Sequence, residues 1–108
     1  MNDRIVALST VGKLEDAERI ATALVERRLA ACVNVVPGVT SVYRWKGDVQ
    51  RDAELLLVIK TRADRLEELR KVLLSLHPYE VPELVALPIE GGHAAYLEWL
   101  DRSVGPEP

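Results

Sequence analysis

Residues 32–61, CVNVVPGVTSVYRWKGDVQRDAELLLVIKT, constrain this chain more than any other stretch. From Cys32 to Trp45, β-branched and aromatic residues alternate with polar ones. Pro37 and Gly38 break the alternation with a pair suited to a bulge or bend, and Lys46, Gly47 and Asp48 form a tight hairpin turn. The run ELLLVIKT is the most continuously apolar in the chain and reads as a central strand. A strand from Val33 to Lys46, rising about 3.3 Å per residue, spans roughly 45 Å, whereas a globule of this length is about 35 Å across. The hairpin must therefore overhang its own domain. Its end carries Tyr43 and Trp45 on one strand face, with Val42 and Val49 nearby, and an isolated two-stranded ribbon is marginal in water. Packing against another subunit resolves both problems.

The other elements fall around this hairpin. Arg4 to Thr10 form a short apolar, β-branched run, the first strand. Leu14, Ala17, Ile20, Ala21, Leu24, Val25 and Leu29 then recur at helical spacing, with Glu15, Glu18, Arg19, Glu26 and Arg27 mostly opposite. A second helix carries Leu66, Leu69, Val72, Leu73 and Leu76 and ends there, because Pro78 disfavours helical geometry at His77. ELVALPI (83–89) reads as a last strand. HAAYLEWLDRS, after Gly91 and Gly92, reads as a short helix with Tyr96, Trp99 and Leu100 on one side, and residues 103–108 as a frayed tail. The order predicts an α+β fold: one domain over residues 1–108, a ferredoxin-like βαββαβ sandwich with two helices on one face of an antiparallel sheet, a long protruding β-hairpin and a short C-terminal helix.

Composition excludes several functions. The chain has 108 residues, a formal net charge of −3 and 48% hydrophobic residues, enough for a core without disulfides or structural metal. No basic run or global positive field draws nucleic acid. No apolar stretch reaches the roughly 18 residues of a membrane span, and the N-terminal run is too short for a signal peptide, so no membrane association and a cytoplasmic location are expected. An RNA-binding sheet needs stacking aromatics on its central strands, and RIVALST and ELLLVIKT have none. A metallochaperone loop needs paired cysteines, and Cys32 is the only cysteine.

The residues able to carry chemistry cluster in HPYEVPE, residues 77–83. Two prolines stiffen this segment while it holds an imidazole, a phenol and two carboxylates. His77 can cap the second helix by bonding its last carbonyls, or act as a ligand. Cys32 opens the second strand as either a small buried hydrophobe or a soft ligand for copper or zinc. Glu80 and Glu83 are either solvated charges of the connector or a carboxylate pair for hard cations or acid–base work, Tyr79 beside them either plugs a cleft or touches a ligand, and Lys60, ending a strand beside Thr61, is either a solvated terminus or a cleft residue. A Cys32–His77 nucleophile and base would need an orienting third group and an oxyanion site, and no such set is present. No catalytic residue and no enzyme activity are assigned. The ligand-cleft set is Lys60, Tyr79, Glu80 and Glu83, and His77, Tyr79 and Glu83 are expected to line a cleft between subunits.

AACVNVVPGVTSVYRWKG, ELLLVIKT, LHPYEVPELVALPI and YLEWL together resemble the CutA family of divalent-cation tolerance proteins in residues and in order, over nearly the whole chain. The resemblance implies a ferredoxin-like subunit in a tight homotrimer of interlocking hairpins, with Tyr43, Trp45 and Trp99 at the interface. It implies a role in copper and other divalent-metal tolerance, with His77 and Cys32 as metal residues for a weakly bound divalent or copper ion not required for folding. Because such trimers resemble nitrogen-regulatory signalling proteins, the alternative is a trimeric sensor or interaction module for a small molecule or protein. In some family members the metal ligands are a cysteine in the first strand and a pair of adjacent histidines before the proline; here Ser9 and Leu76 stand at two of those places and only His77 remains.

Overall fold

The structure, a computed structural model, describes residues 3–106. Strand β1 (Arg4–Val11) leads to helix α1 (Leu14–Glu26), the long strands β2 (Cys32–Trp45) and β3 (Asp48–Arg62), helix α2 (Leu66–Leu76), strand β4 (Val85–Pro88) and helix α3 (Ala94–Ser103), with a single 3-10 turn at Ala63–Arg65. The sheet order is β2-β3-β1-β4, antiparallel throughout, as the ferredoxin-like reading requires. β3 is central, as its apolar run predicts. β4 is shorter than ELVALPI suggested, because only Val85–Pro88 pair with β1.

Side chains alternate across the sheet. Ala7, Val11, Leu55, Leu57 and Ile59 point to one face, where Ala17, Ile20 and Leu24 of α1 and Leu69 and Leu73 of α2 close over them as the main core. α1 stops at Glu26, and Leu29 reaches the core from beyond it, after Arg28 turns the chain at φ 57. Thr61, also on the core face, ties that turn to the sheet through its hydroxyl, 2.6 Å from the Leu29 carbonyl.

α3 lies on the other face. Its Leu100 is buried with Ala31, Val104 and Ile89, and its Asp101 accepts two bonds from Arg4, at 3.0 and 2.7 Å, and one from Arg62 at 3.2 Å. Arg4 and Arg62 flank Ile5 and Thr61, so their side chains leave the sheet away from α1 and α2. The guanidinium of Arg4, followed by that of Arg62, holds the Asp101 carboxyl below its ordinary range. The expected frayed tail is anchored at its start: Val104 is buried, the Gly105 amide donates to the Arg28 carbonyl, and the Arg28 side chain donates to the carbonyls of Gly105 and Arg102. Residues 107–108 lie outside the described residues.

The hairpin overhangs as its length demands. β1 pairs with β3 only as far as Val11–Leu55, so Asp48–Glu54 have β2 alone as neighbour. The overhang begins at a bulge, where Pro37 and Gly38 oppose one residue, Leu55. Proline needs no ladder donor there and Gly38 takes φ 79. The tip is a two-residue turn, Lys46 at φ 52 and Gly47 at φ 87, the left-handed pair whose twist matches a hairpin. The molecule measures 46 × 25 × 22 Å, its long axis close to the length expected of β2.

Candidate functional site

The segment 77–83 leaves α2 as the prolines dictate, with His77 extended at φ −78, ψ 133. The imidazole turns inward. Its Nδ1 accepts the Tyr79 amide at 3.1 Å, which leaves Nε2 to carry the ring proton and donate it to the Thr10 carbonyl at 2.8 Å. His77 is buried, with the Tyr79 ring edge-on at 4.6 Å. It caps no carbonyl of its own helix with its ring; it braces the end of α2 against β1. With both nitrogens engaged, it has no lone pair to offer a metal in this arrangement.

Tyr79 reaches back past Gly12, where a Cβ would stand 3.2 Å from its hydroxyl, and donates to Glu54 Oε2 at 2.5 Å. Glu54 is only 6% exposed, a carboxylate that requires such a donor. Burial first, and the bond to Glu54 second, push the Tyr79 phenol well above its ordinary pKa. Between this segment and the base of the hairpin lies a cleft of about 750 Å³. It is lined by Tyr79, Glu80, Val81, Pro82 and Glu83 on one side, by Ser41, Val42, Tyr43, Trp45 and Asp52 on the other, and by Thr10 and Glu54. Tyr43 donates to Asp52, the main reason its phenol is also shifted upward. The lining holds Asp52, Glu54, Glu80 and Glu83 and no lysine, arginine or histidine. It is an acidic, aromatic concavity.

Four of the expected residues, Lys60, Cys32, Trp99 and His77, lie outside this lining; His77 does not line the cleft with Tyr79 and Glu83 because its ring turns inward to the Thr10 carbonyl. Lys60 pairs across from Cys32; its Nζ bonds Asn34 Oδ1 and stands 4.0 Å from Cys32 Sγ, so it belongs to the α3 side of the sheet and not to the cleft. Tyr96 of α3 covers this corner, its phenol raised by burial and then by Cys32. Trp99 sits next to Tyr96 with ring centroids 5.4 Å apart. His77 and Cys32 do not meet. His77 bonds Thr10, which pairs with Leu56, whereas Cys32 pairs with Lys60, four positions or roughly 13 Å further along β3. Ser9 is fully buried on the core face, and Leu76 packs against the core. Within one chain these residues do not assemble a soft-metal site, and among the described residues no group of three or more His, Cys, Asp or Glu is placed to hold a metal ion.

Asp52 and Glu54 were not singled out in the sequence. The available signal was positional: Glu54 heads an apolar run, where a solvated carboxylate is unremarkable, and only the return of Tyr79 makes it a buried acceptor.

The fold and cleft can be set beside known proteins. The sequence pattern described as CutA1 divalent ion tolerance protein matches residues 5–103. A divalent-cation tolerance protein CutA of Thermus thermophilus is 55% identical over 100 residues, covering 93% of this chain and 97% of that one. A chloroplastic CutA 1 protein of Oryza sativa is 52% identical over 92% of this chain, which spans 56% of the rice protein. A solved Thermus thermophilus Cut A1 structure superposes with a TM-score of 0.93 at 54% identity, over 94% of this chain and 99% of that one. The Oryza sativa CutA1 crystal structure gives 0.93 at 49% identity, over 96% and 95%. A match that runs from β1 through α3, with the long hairpin and HPYEVPE segment inside it, establishes that this chain belongs to the CutA1 divalent ion tolerance protein family.

Proposed function

We propose that the chain works as a homotrimeric divalent-cation tolerance protein that binds cations weakly and catalyses no reaction, with the carboxylates of the hairpin cleft, rather than His77 and Cys32, meeting the cation. The observation that carries this is the cleft lining: Asp52, Glu54, Glu80 and Glu83 with no cation among them. Oxygen donors favour hard or borderline divalent ions such as Mn²⁺ and Zn²⁺. The engaged ring of His77 and the distant Cys32 argue against a copper site built on that pair. One chain's donors are too dispersed to hold an ion alone, which favours a site completed by a second subunit. The trimer itself is supported by an overhanging ribbon whose Val42, Tyr43, Trp45 and Val49 are exposed in the single chain.

Calorimetric titration of Mn²⁺, Zn²⁺ and Cu²⁺ tests the site. Binding lost in Glu80→Gln/Glu83→Gln and retained in Cys32→Ser supports the cleft; the reverse pattern returns the site to Cys32. Light scattering of the wild type and Trp45→Ala tests the assembly, with about 36 kDa, three copies of the 12.0 kDa chain, expected for the wild type and a weaker complex for the variant. The second reading, a sensor of a small molecule, draws on the same cleft. Its volume lies in the range of ligand pockets, and Tyr43, Trp45 and Tyr79 supply aromatic walls. Among the described residues no helix is long and apolar enough to cross a membrane. Relatives carry chloroplastic and periplasmic names, so the cytoplasmic location stays part of the proposal for this chain.

A further inference from the structure

The carboxylates of the cleft are spread along it rather than gathered at one point. Asp52 and Glu54 lie two residues apart on the same face of β3, about 7 Å along the strand, and Glu80 and Glu83 stand on the other wall with Val81 and Pro82 between them. A hard metal ion needs several oxygens within about 2.6 Å of one centre, and among the described residues no three acidic, histidine or cysteine side chains converge in that way. Glu54 has an oxygen to spare. The residue is buried and its Oε2 takes the Tyr79 hydroxyl, while Oε1 accepts no bond from any described residue. One neutral phenol is a poor match for a buried carboxylate, which calls for a positive partner. Asp52 takes only the Tyr43 hydroxyl, and none of the four carboxylates forms an ion pair with a described residue. Their four formal charges exceed the −3 of the whole chain, so the negative field of the molecule is concentrated in this cleft.

Separated negative charges with apolar surface between them match a ligand of separated positive charges with apolar spacers. We propose that the cleft takes a linear aliphatic polyamine, a chain of ammonium groups spaced by three or four methylenes. A terminal ammonium meets the open Oε1 of Glu54, the methylenes lie against the Tyr79 ring, Val81 and Pro82, and the remaining ammonium groups reach Asp52, Glu80 and Glu83. An ammonium carries three donors that one ligand can share among dispersed carboxylates, and the partly exposed Tyr79 ring adds a cation–π face. The volume of about 750 Å³ admits such a chain. This rests on the reading of the cleft as the cation site and names an organic polycation as its preferred occupant.

Calorimetric titration with spermidine and with Mn²⁺ tests it, at low ionic strength because salt screens exposed charges. Saturable spermidine binding is expected, tighter than that of Mn²⁺ and at least tenfold weaker in Glu54→Gln and in Glu80→Gln/Glu83→Gln. Glu54→Gln keeps an oxygen for the Tyr79 hydroxyl while removing the charge, and far-ultraviolet circular dichroism confirms that each variant is folded. Glu15→Gln/Glu18→Gln, at exposed positions of α1, changes the net charge as much as Glu80→Gln/Glu83→Gln does and should bind spermidine as the wild type does. Putrescine should bind at least tenfold more tightly than butylamine, which has the same four-carbon chain and one charge. Spermidine binding that weakens as much in the α1 variant as in the cleft variants, or a diamine no better than the monoamine, is general attraction to an acidic protein and overturns the proposal. Mn²⁺ binding through Glu80 and Glu83 with no spermidine binding overturns the polyamine alone, whereas binding of neither overturns the cation cleft as well.

Discussion

Replacing Ser9 with alanine should make the protein more stable. Ser9 is 0% exposed on the core face of β1, paired across from Leu57, and its Oγ meets no hydrogen-bond partner among the described residues. A buried hydroxyl left unpaired costs about 1–3 kcal/mol. Alanine removes that group and leaves a space smaller than a methyl, whose cost stays below about 1 kcal/mol. The net expectation is a gain of about 1 kcal/mol, which for a domain of this size raises the thermal midpoint by about 4–8 °C. Ser9→Cys should do as well or better, since a thiol behaves as a small hydrophobe and fills more of the site. Thr61→Val is the control. Its hydroxyl is equally buried but bonded to the Leu29 carbonyl, so the isosteric change strands that carbonyl and should cost about 1–3 kcal/mol. The assay is urea unfolding followed by tryptophan fluorescence, at one fixed protein concentration because assembly makes the midpoint concentration-dependent. If Ser9→Ala loses stability as Thr61→Val does, Oγ is satisfied in the folded protein and the reasoning fails.

Tyr79→Phe removes the donor that holds the buried Glu54 carboxylate, and should destabilise by about 1–2 kcal/mol after allowance for solvent at the partly exposed phenol. Because the folded Tyr79 pKa is raised above the ordinary value of about 10, its contribution is complete below that pH and is lost as pH rises toward the folded value. Alkaline unfolding should therefore be steeper in the wild type than in Tyr79→Phe, and parallel curves would remove Tyr79 from that role. Asp101 has the opposite sign. Its pKa is lowered by Arg4 and Arg62, so it stabilises above the ordinary carboxylate range and the effect is lost as pH falls through the lowered value. Asp101→Asn should thus melt lower than the wild type at pH 7, with the gap closing below pH about 4; a gap independent of pH would point to packing alone.

Much of the fold was legible from periodicity. The alternation of Cys32 to Trp45, the Lys46-Gly47 turn, the amphipathic repeats of α1 and α2 and the proline stop at His77 are local signals, each set by neighbours a few residues away, and each lies where it was read. The overhang followed from arithmetic, since one strand longer than the globule's diameter has nowhere to fold back. The exact ends were less legible: Leu29 keeps helical spacing after α1 has ended, and Val104 looked like tail until Arg28 and the α3 side of the sheet were seen to hold it.

Residue types and spacing by themselves determined that an antiparallel α+β fold forms, that its hairpin protrudes and that HPYEVPE is a stiff polar connector. Only the tertiary structure decided what those polar groups do. An imidazole reads the same in sequence whether its nitrogens are free or spent on Thr10 and Tyr79, and Glu54 reads as a surface carboxylate until a phenol 25 residues away returns to it. Local structure depends on short-range periodicity that one chain displays in full; site chemistry depends on which distant groups share a small volume, and that is set by how β1, β3 and the end of α2 pack together.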